Sequence, residues 1–311
     1  MKPRIAYIFP GQGSQTPGMG RELAQDSPAA AEVFAAIDDA LGFSLSEIMF
    51  GDDAAALMPT QIQQPAIFAH SMAAFAALRS RHRDGPQMLA GHSLGEYAAV
   101  CASGALELCE AACLVRTRGE LMGKAAEEVG GAMAAVLGMT NEEVEALVQE
   151  ASSAGVLAIA NYNTPGQVVI SGEAEAVARA RELARERSKK VIPLKVSGAF
   201  HSPLMAPAAE ALRPHLEAAD LCKAMVPVVS NVDAVSRWDA EGIRQGLIAQ
   251  VTQSVRWEDS VRCMIALGVE AFIELGPGSV LSKMIPRIED GVPAFSVGTL
   301  AEVYAVLELL G

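Results

Sequence analysis

Long apolar runs are missing from this chain of 311 residues, since no uninterrupted stretch approaches the length that a membrane span needs. The apolar run Ile5–Phe9 near the N-terminus is also too short for the hydrophobic region of a signal peptide, and it leads directly into Pro10-Gly11. We therefore expect a cytoplasmic protein that does not enter a membrane and whose first strand is Ile5–Phe9.

Cysteine is scarce and shows no regular spacing. The five cysteines are odd in number and include no C-x-x-C pair, which is typical of a reducing compartment. Cys109 and Cys113 lie four residues apart on a predicted helix, but no histidine is close to them in sequence. Buried apolar side chains are therefore favoured over a shared metal, and we expect no metal site.

Positive charge is deficient, because 24 lysines and arginines face 37 aspartates and glutamates and the net charge is −13. This balance argues against general nucleic-acid binding. An acidic protein partner would need a local basic patch, although a solvated face is the plainer interpretation of any single cluster. Two clusters are available, namely Arg181, Arg185, Lys189 and Lys190, and further along the chain Lys283 and Arg287.

The composition indicates a globular protein, with 51% hydrophobic and 20% charged residues, and the length favours one large domain with a smaller companion. We find no internal repeat and no low-complexity segment. Short apolar runs alternate with helical patterns at both ends of the chain, as in an α/β domain. Strands are predicted over 5–9, 88–90, 226–232 and 271–275, and helices over 21–40, 65–78, 107–126, 203–218, 239–251 and 278–288.

Residues 131–197 show a different order, β-α-β-β-α-β, which is that of a ferredoxin-like unit. Thr140 and Glu143 form a predicted capping box at the start of the first helix. Because α/β features resume afterwards, we interpret the unit as an insertion. Its strands are predicted over 132–137, 156–161, 167–171 and 190–196, and its helices over 141–151 and 173–187.

The segment Gly91-His92-Ser93-Leu94-Gly95 fits G-x-S-x-G, the nucleophile elbow, which places a serine on a sharp strand-to-helix turn. The glycines permit strained backbone angles, and the following helix directs free N–H groups toward an oxyanion beside Ser93. The motif also occurs by chance, and a serine here could be an ordinary helix N-cap. The apolar run over 88–90 supplies the strand that the motif requires, so Ser93 is the predicted covalent nucleophile.

A serine nucleophile needs a base, and His201 is the candidate among the five histidines because it lies in a loop after a predicted strand. His92 adjoins Ser93 in the turn, where neighbouring side chains point apart. A hydrolase triad on this elbow runs Ser, Asp or Glu, His, yet no aspartate lies between Ser93 and His201. The pattern favours a Ser–His dyad oriented by a neutral group and counts against an ordinary esterase. The other histidines, His70, His82 and His215, are interpreted as packing or surface residues.

Six motifs are spaced along essentially the whole chain: PGQGSQ at 10–15, GHSLGE at 91–96, RTRG at 116–119, NTPGQVVISG at 163–172, GAFHS at 198–202 and ELGPG at 274–278. Together they resemble the malonyl-CoA:acyl carrier protein transacylases. Each motif alone is moderately specific, whereas six in the same order are highly specific. The resemblance implies an α/β fold with an α/β-hydrolase-like catalytic domain at 1–128 and 198–311 and a ferredoxin-like (βαββαβ) subdomain at 129–197.

The resemblance also implies a reaction, the transfer of malonyl from malonyl-CoA to the phosphopantetheine thiol of acyl carrier protein in fatty acid synthesis. The transfer is ping-pong, runs through a malonyl-serine and needs no metal, redox nucleotide or prosthetic group. The implied partners are malonyl-CoA and acyl carrier protein, with no nucleic acid and no membrane, and we expect a monomer.

Roles for individual residues follow from the same resemblance. Ser93 is the acylated nucleophile, His201 is the general base, and the backbone N–H groups of Gln12 and Leu94 form the oxyanion hole. Arg118 holds the free carboxylate of malonyl, a task suited to the bidentate guanidinium fork, while Arg116 is the alternative on another side of the helix. Three further residues are implied: Phe200 crowds out an α-methyl branch, the main-chain carbonyl of Gln250 orients His201, and Asn231 lines the site or caps a loop. Met122 lies four residues after Arg118, so it shares the same helix face and is expected to line the pocket.

Other activities stay open at this point. Within the family, a malonyltransferase of polyketide synthesis or of a malonate decarboxylase has the same motifs. From other classes, the alternatives are a serine esterase or thioesterase and a carrier-binding module without catalysis. The joint presence of Ser93, His201 and Arg118 argues against the last of these, and Arg118 argues against the esterase.

Overall fold

The computed structural model describes residues 3–82, 84–196 and 198–310. Met1, Lys2, Arg83, Ser197 and Gly311 lie outside the described residues, and with them the two chain ends and the predicted subdomain limit at 197. The limits predicted for the two domains stay a prediction.

In chain order the elements as far as the middle of the chain are β1 (Ile5–Phe9), α1 (Arg21–Asp26), α2 (Pro28–Leu41), α3 (Leu45–Phe50), α4 (Thr60–Arg79), β2 (Met88–Gly91), α5 (Gly95–Ala102), α6 (Leu108–Val129), β3 (Ala132–Leu137) and α7 (Asn141–Ala151). They continue with β4 (Leu157–Thr164), β5 (Gln167–Gly172), α8 (Ala174–Glu186), β6 (Lys190–Pro193), α9 (Ala206–Ala218), β7 (Val228–Val229), β8 (Ser236–Arg237), α10 (Ala240–Gln250), α11 (Trp257–Ala266), β9 (Ala271–Leu275), α12 (Ile285–Ile288), β10 (Ala294–Val297) and α13 (Leu300–Leu310).

The larger sheet has the strand order β10-β9-β1-β2-β7-β8, and all neighbouring strands are parallel except β7 and β8. The strands β1, β2 and β9 are almost entirely apolar and buried, as expected of parallel strands that are covered on both faces. Phe9 pairs with Gly91 at the carboxyl ends of β1 and β2. The loops that follow these two strands therefore lie side by side.

The smaller sheet has the order β4-β5-β3-β6 and is antiparallel throughout. It forms, with α7 and α8, the β-α-β-β-α-β unit that the sequence predicts, and both bonds of the Thr140–Glu143 capping box are present. The unit has its own apolar core, which includes Leu147, Ile170 and Leu183. The fold is thus an α/β domain joined to a ferredoxin-like subdomain.

One segment of the large domain extends the smaller sheet. Val255 donates its N–H to the carbonyl of Ala160 at 2.8 Å and accepts from the N–H of Tyr162 at 2.9 Å, beside β4. This segment follows α10 after only a few residues, so α10 and the subdomain are tied together through it.

Several predicted bounds are wrong, and prolines account for most of them. The helix predicted over 21–40 is divided into α1 and α2 because Pro28 begins a new helix. The helix predicted over 65–78 begins at Thr60, with Pro65 inside it. Pro65 has no N–H for the carbonyl of Gln61, and that carbonyl accepts instead from Nη1 of Arg116 at 2.9 Å.

The helix predicted over 278–288 contracts to α12, which has Pro286 in its first turn. Pro286 has no N–H for the carbonyl of Ser282, so the helix does not extend back through this residue. In the loop before it, the buried carboxylate of Glu274 accepts the backbone N–H groups of Leu281 and Ser282 at 3.1 and 2.7 Å. The strand predicted over 190–196 ends at Pro193, which cannot donate to the ladder. Among the described residues, no helix combines the length and the apolar character needed to cross a bilayer.

Candidate active site

Ser93 lies at the tip of a tight turn between β2 and α5. Its φ of +53° is in the left-handed region, which costs a non-glycine residue about 1–3 kcal/mol. The flanking glycines are required, because a Cβ on Gly91 would lie 1.9 Å from the carbonyl oxygen of Gly95, and one on Gly95 would lie 2.2 Å from that of Phe9. The turn is therefore closely packed against the end of β1, which holds the serine hydroxyl in place.

Asn231, which follows β7, fixes the same turn from the other side. Its Oδ1 accepts the N–H of Ser93 at 2.7 Å, and its Nδ2 donates to the carbonyl of Gly91 at 2.6 Å. The side chain is fully buried. The structure thus places Asn231 as a support of the turn, where sequence reasoning left site lining and loop capping both open.

His201 is hydrogen-bonded to the serine, with 2.7 Å between Nε2 and the Ser93 Oγ. Nδ1 of His201 faces two main-chain carbonyls, those of Gln250 at 2.8 Å and Gln253 at 3.2 Å, so it carries the proton and Nε2 is left to accept. Among the described residues, no carboxylate is hydrogen-bonded to the ring. Burial and the adjacent Arg118 guanidinium lower the pKa of His201 to about 3, which keeps the imidazole neutral and able to accept a proton.

Arg118 projects from α6 into the same site and is only 1% exposed. Its Nη2 donates to the Ser93 Oγ at 3.0 Å and to Oε1 of Gln250 at 2.9 Å, and its Nη1 donates to Oε1 of Gln64. All three acceptors are neutral, and within the described part of the chain Arg118 forms no ion pair. Burial lowers the pKa of this guanidinium, and its buried Nε finds no hydrogen-bond partner in the described part of the chain. Such a cation is costly without a counter-charge, so it favours an anionic group beside Ser93.

Arg116 points elsewhere. Its Nη1 donates to the Gln61 carbonyl, its Nε pairs with Glu120, and its guanidinium lies 5.2 Å from the ring centre of Phe43. These contacts give Arg116 a packing role between α6 and the start of α4.

Two backbone N–H groups near the serine are free to bind an oxyanion. The loop after β1 lies directly against the turn, since a Cβ on Gly11 would lie 2.6 Å from the carbonyl oxygen of His92. The N–H groups of Gln12 and Leu94 donate no hydrogen bond to any other residue that the structure describes. Such unpaired donors beside a nucleophile are the usual construction of an oxyanion hole.

Ser93 and His201 open onto a cavity of about 780 Å³ between the two domains. Phe200 and Met122 line it and are 5% and 2% exposed, which gives the wall next to the serine an apolar surface. The subdomain contributes Met133, Asn161, Leu194 and Lys195 to the opposite wall. The site is thus large enough for a long substrate and is shielded from water near the nucleophile.

Sequence reasoning missed several contributors to this site. Gln64 holds Arg118, Gln253 shares the orientation of His201, and Asn163 of the subdomain binds His92 at 2.9 Å through Oδ1 and Nε2. The pair Gln63-Gln64 within the apolar helix α4 was the one available signal for Gln64. Glu96 is the last residue of the GHSLGE motif, and the sequence predicts no role for it.

The chain is similar over nearly its whole length to known acyl transferases. A family model described as the acyl transferase domain matches residues 6–302. The malonyl CoA-acyl carrier protein transacylase of Bacillus subtilis (strain 168) is 43% identical over 309 residues, which cover 99% of this chain and 97% of that protein. That of Escherichia coli (strain K12) is 38% identical over 307 residues, which cover 98% and 99%.

Solved structures are similar over the same length. The acyl-carrier-protein S-malonyltransferase of Bartonella henselae superposes with a TM-score of 0.95 at 41% identity and with 99% of each chain covered. A malonyl-transacylase in complex with its type II polyketide synthase acyl carrier protein gives a TM-score of 0.95 at 37% identity, covering 98% of this chain and 99% of that one.

Proposed function

The chain belongs to the acyl transferase family, among the malonyl-CoA:acyl carrier protein transacylases, and from this premise we propose how its own residues carry out the transfer. Malonyl passes from coenzyme A to Ser93 and then to the phosphopantetheine thiol of acyl carrier protein. The observation that carries the proposal is Arg118, a buried cation that forms no ion pair with the residues described and donates to the Ser93 hydroxyl at 3.0 Å.

In the first half-reaction, His201 Nε2 takes the Ser93 proton as Oγ attacks the thioester carbonyl of malonyl-CoA. The carbonyl oxygen becomes an oxyanion, which the N–H groups of Gln12 and Leu94 stabilise. The intermediate collapses with cleavage of the C–S bond, and His201 returns the proton to the coenzyme A sulfur, so that the products are a malonyl-serine ester and a free thiol.

The second half-reaction reverses these steps with a new thiol. His201 accepts the proton of the carrier thiol, the sulfur attacks the malonyl-serine carbonyl, and Ser93 leaves with the proton restored by His201. Both half-reactions create an imidazolium close to Arg118, which is unfavourable in a buried site. A malonyl carboxylate bound to Arg118 compensates for that charge, so substrate binding also helps His201 to act as a base.

Replacement of Arg118 by alanine tests the malonyl assignment. We expect malonyl transfer to fall steeply and acetyl transfer to gain relative to it, because the variant has lost both the partner of the carboxylate and the unpaired charge that disfavours acetyl. The loss of a charge-assisted bidentate pair is expected to lower the malonyl:acetyl ratio of kcat/KM by about 30-fold to a few thousand-fold. The measurement is the rate of serine acylation with each coenzyme A thioester.

Arg116→Ala is the matched control, since Arg116 lies on the same helix but is turned toward Gln61 and Glu120. It should lower stability and leave the ratio unchanged. A collapsed ratio in Arg116→Ala with an unchanged one in Arg118→Ala would assign the carboxylate to the other arginine. If neither variant altered the ratio, the malonyl assignment itself would be wrong.

The carrier protein of fatty acid synthesis is the proposed acceptor, and a type II polyketide carrier is the second candidate, because a similar malonyl-transacylase has been solved with such a carrier. We propose that neither transfer needs a metal or a resident cofactor and that the enzyme acts as a monomer. Assays of the malonylated enzyme with both kinds of carrier, at equal concentration, distinguish the two acceptors by their kcat/KM.

Docking of an acidic carrier should depend on local basic residues, because the chain itself carries a net charge of −13. Arg185 and Arg287, one from each predicted cluster, are both exposed. We expect Arg185→Glu or Arg287→Glu to raise the KM for the carrier several-fold and to weaken its salt dependence, with the KM for malonyl-CoA unchanged. Lys223→Glu, an exposed charge reversal outside both clusters, is the control. A cluster whose variant keeps the wild-type salt dependence is not part of the docking surface for the carrier.

A further inference from the structure

Gln250 contacts Ser93, His201 and Arg118, three of the residues that the proposed mechanism uses. Its main-chain carbonyl accepts from His201, its side-chain Oε1 accepts from Arg118, and its Nε2 donates to the carbonyl of Ser93 at 2.8 Å. The whole residue is buried. The direction in which its side-chain amide lies therefore decides what Arg118 encounters next to the nucleophile.

Glu96, in the first turn of α5, fixes that direction together with the Ser93 carbonyl and the Arg118 guanidinium. The side chain is 3% exposed, and its Oε2 accepts from the Gln250 Nε2 at 2.6 Å. Above its pKa of about 7 the carboxylate is mainly ionised, and in that form it can only accept hydrogen bonds. If the amide were turned round, its oxygen would face the oxygens of Glu96 and Ser93, and its NH₂ group would face the guanidinium N–H groups of Arg118. Only the orientation seen in the structure gives every one of these donors an acceptor.

In its ionised form, Glu96 also places a negative charge one amide group away from Arg118. Burial lowers the pKa of Arg118, and the charges of Tyr97 and Glu96 oppose this effect. Burial raises the pKa of Glu96 itself to about 7, against the hydrogen bond from Gln250. Among the described residues Glu96 forms no ion pair, so its hydrogen bond to Gln250 is its link to the cation.

We propose that Glu96 is a positioning residue that sets the selectivity of the site for carboxylate-bearing acyl groups. It holds the Gln250 amide with its oxygen toward Arg118, and so keeps Arg118 ionised and directed at the space beside Ser93. This inference rests on the proposed malonyl transfer and extends it to a residue that touches no reacting atom.

Two substitutions of Glu96 distinguish an effect on the orientation of the Gln250 amide from an effect on packing alone. Glu96→Gln retains an acceptor oxygen for the Gln250 Nε2, whereas Glu96→Met has a similar length and no such acceptor. We expect Glu96→Met to lower the malonyl:acetyl ratio of kcat/KM by about tenfold or more, the size of effect expected when a buried charged hydrogen bond is lost. Glu96→Gln should restore most of the ratio. Serine acylation is measured with each coenzyme A thioester.

Glu274→Gln is the matched control, since Glu274 is another buried carboxylate, and its hydrogen bonds go to the backbone N–H groups of Leu281 and Ser282 in the loop before α12. It should lower the melting temperature and leave the ratio unchanged. A Glu96→Met variant that loses malonyl and acetyl transfer in equal proportion would contradict the proposal. A Glu96→Gln variant whose malonyl:acetyl ratio is no higher than that of Glu96→Met would also contradict it.

If Glu96→Met does not fold, a double-mutant cycle of Glu96→Gln with Gln250→Met also tests whether Glu96 acts through the Gln250 amide. The proposal requires that Glu96→Gln, which lowers the ratio slightly in the wild-type background, has no effect on the ratio once the Gln250 amide is absent. An equal effect in both backgrounds would overturn it. Wild-type enzyme that formed no malonyl-serine would instead contradict the proposed function, so the two failures are distinguishable.

Discussion

No acyl adduct should form on Ser93→Ala after exposure to malonyl-CoA, and neither half-reaction should be detectable. The hydroxyl of Ser93 is the group that the turn presents to both His201 at 2.7 Å and Arg118 at 3.0 Å. The intermediate is an ester on this oxygen, so its removal leaves the acyl group without an acceptor. Intact-mass measurement of the protein after incubation reads the result directly.

The variant should nevertheless fold and bind malonyl-CoA. Alanine removes only the hydroxyl, and Arg118 Nη2 loses an acceptor that the substrate carboxylate can replace. Retained binding in a calorimetric titration therefore shows that the lost adduct reflects lost chemistry. An adduct of unchanged mass and rate on Ser93→Ala would place the nucleophile elsewhere.

Acylation by His201→Ala should be slower by about 10²- to 10⁴-fold, the range that general base catalysis supplies. The imidazole is neutral at physiological pH because burial and Arg118 lower its pKa to about 3, and its Nε2 already accepts the serine proton in a hydrogen bond. Without it, the Ser93 proton has to pass to water in the cavity, which is a weaker base. Stopped-flow measurement of coenzyme A release in the first turnover gives the rate, and added imidazole should partly restore it.

His70→Ala provides the comparison, because His70 is a second buried histidine whose pKa burial lowers to about 4. Its Nε2 is hydrogen-bonded to the carbonyl of Gly298, away from Ser93. This variant should lose stability and keep the wild-type acylation rate. Equal losses of rate in the two variants would mean that His201 contributes through packing, and a wild-type rate in His201→Ala would remove it from the mechanism.

The parts of the site that could be predicted are those that a local pattern encodes. The turn around Ser93 requires glycines at fixed positions, and the parallel strands around it are continuous apolar runs, so both are visible in a short stretch of sequence. The absence of aspartate between Ser93 and His201 likewise indicated a histidine oriented by something neutral, and the orienting groups are main-chain carbonyls. The family resemblance supplied Gln250 and not Gln253, since a main-chain carbonyl has no signature of its own.

The surroundings of Arg118 could not be predicted in this way. Its acceptors Gln64 and Gln250 are 54 and 132 residues away in the chain, and glutamine is ordinary in either helix. Pro65 also concealed the start of α4, because it normally begins a helix and here lies inside one whose free carbonyl is satisfied by Arg116. Both errors concern polar groups that find partners only in the tertiary structure.

The tie between Val255 and β4 limits what can be exchanged between relatives. A chimaera that receives a foreign small subdomain, in order to change the choice of carrier, also receives a foreign anchor for the segment that carries Gln250 and Gln253. Replacement of this subdomain is therefore expected to disturb the carbonyl groups that orient His201. The strand edge that meets Val255 has to be inherited together with the histidine that depends on it.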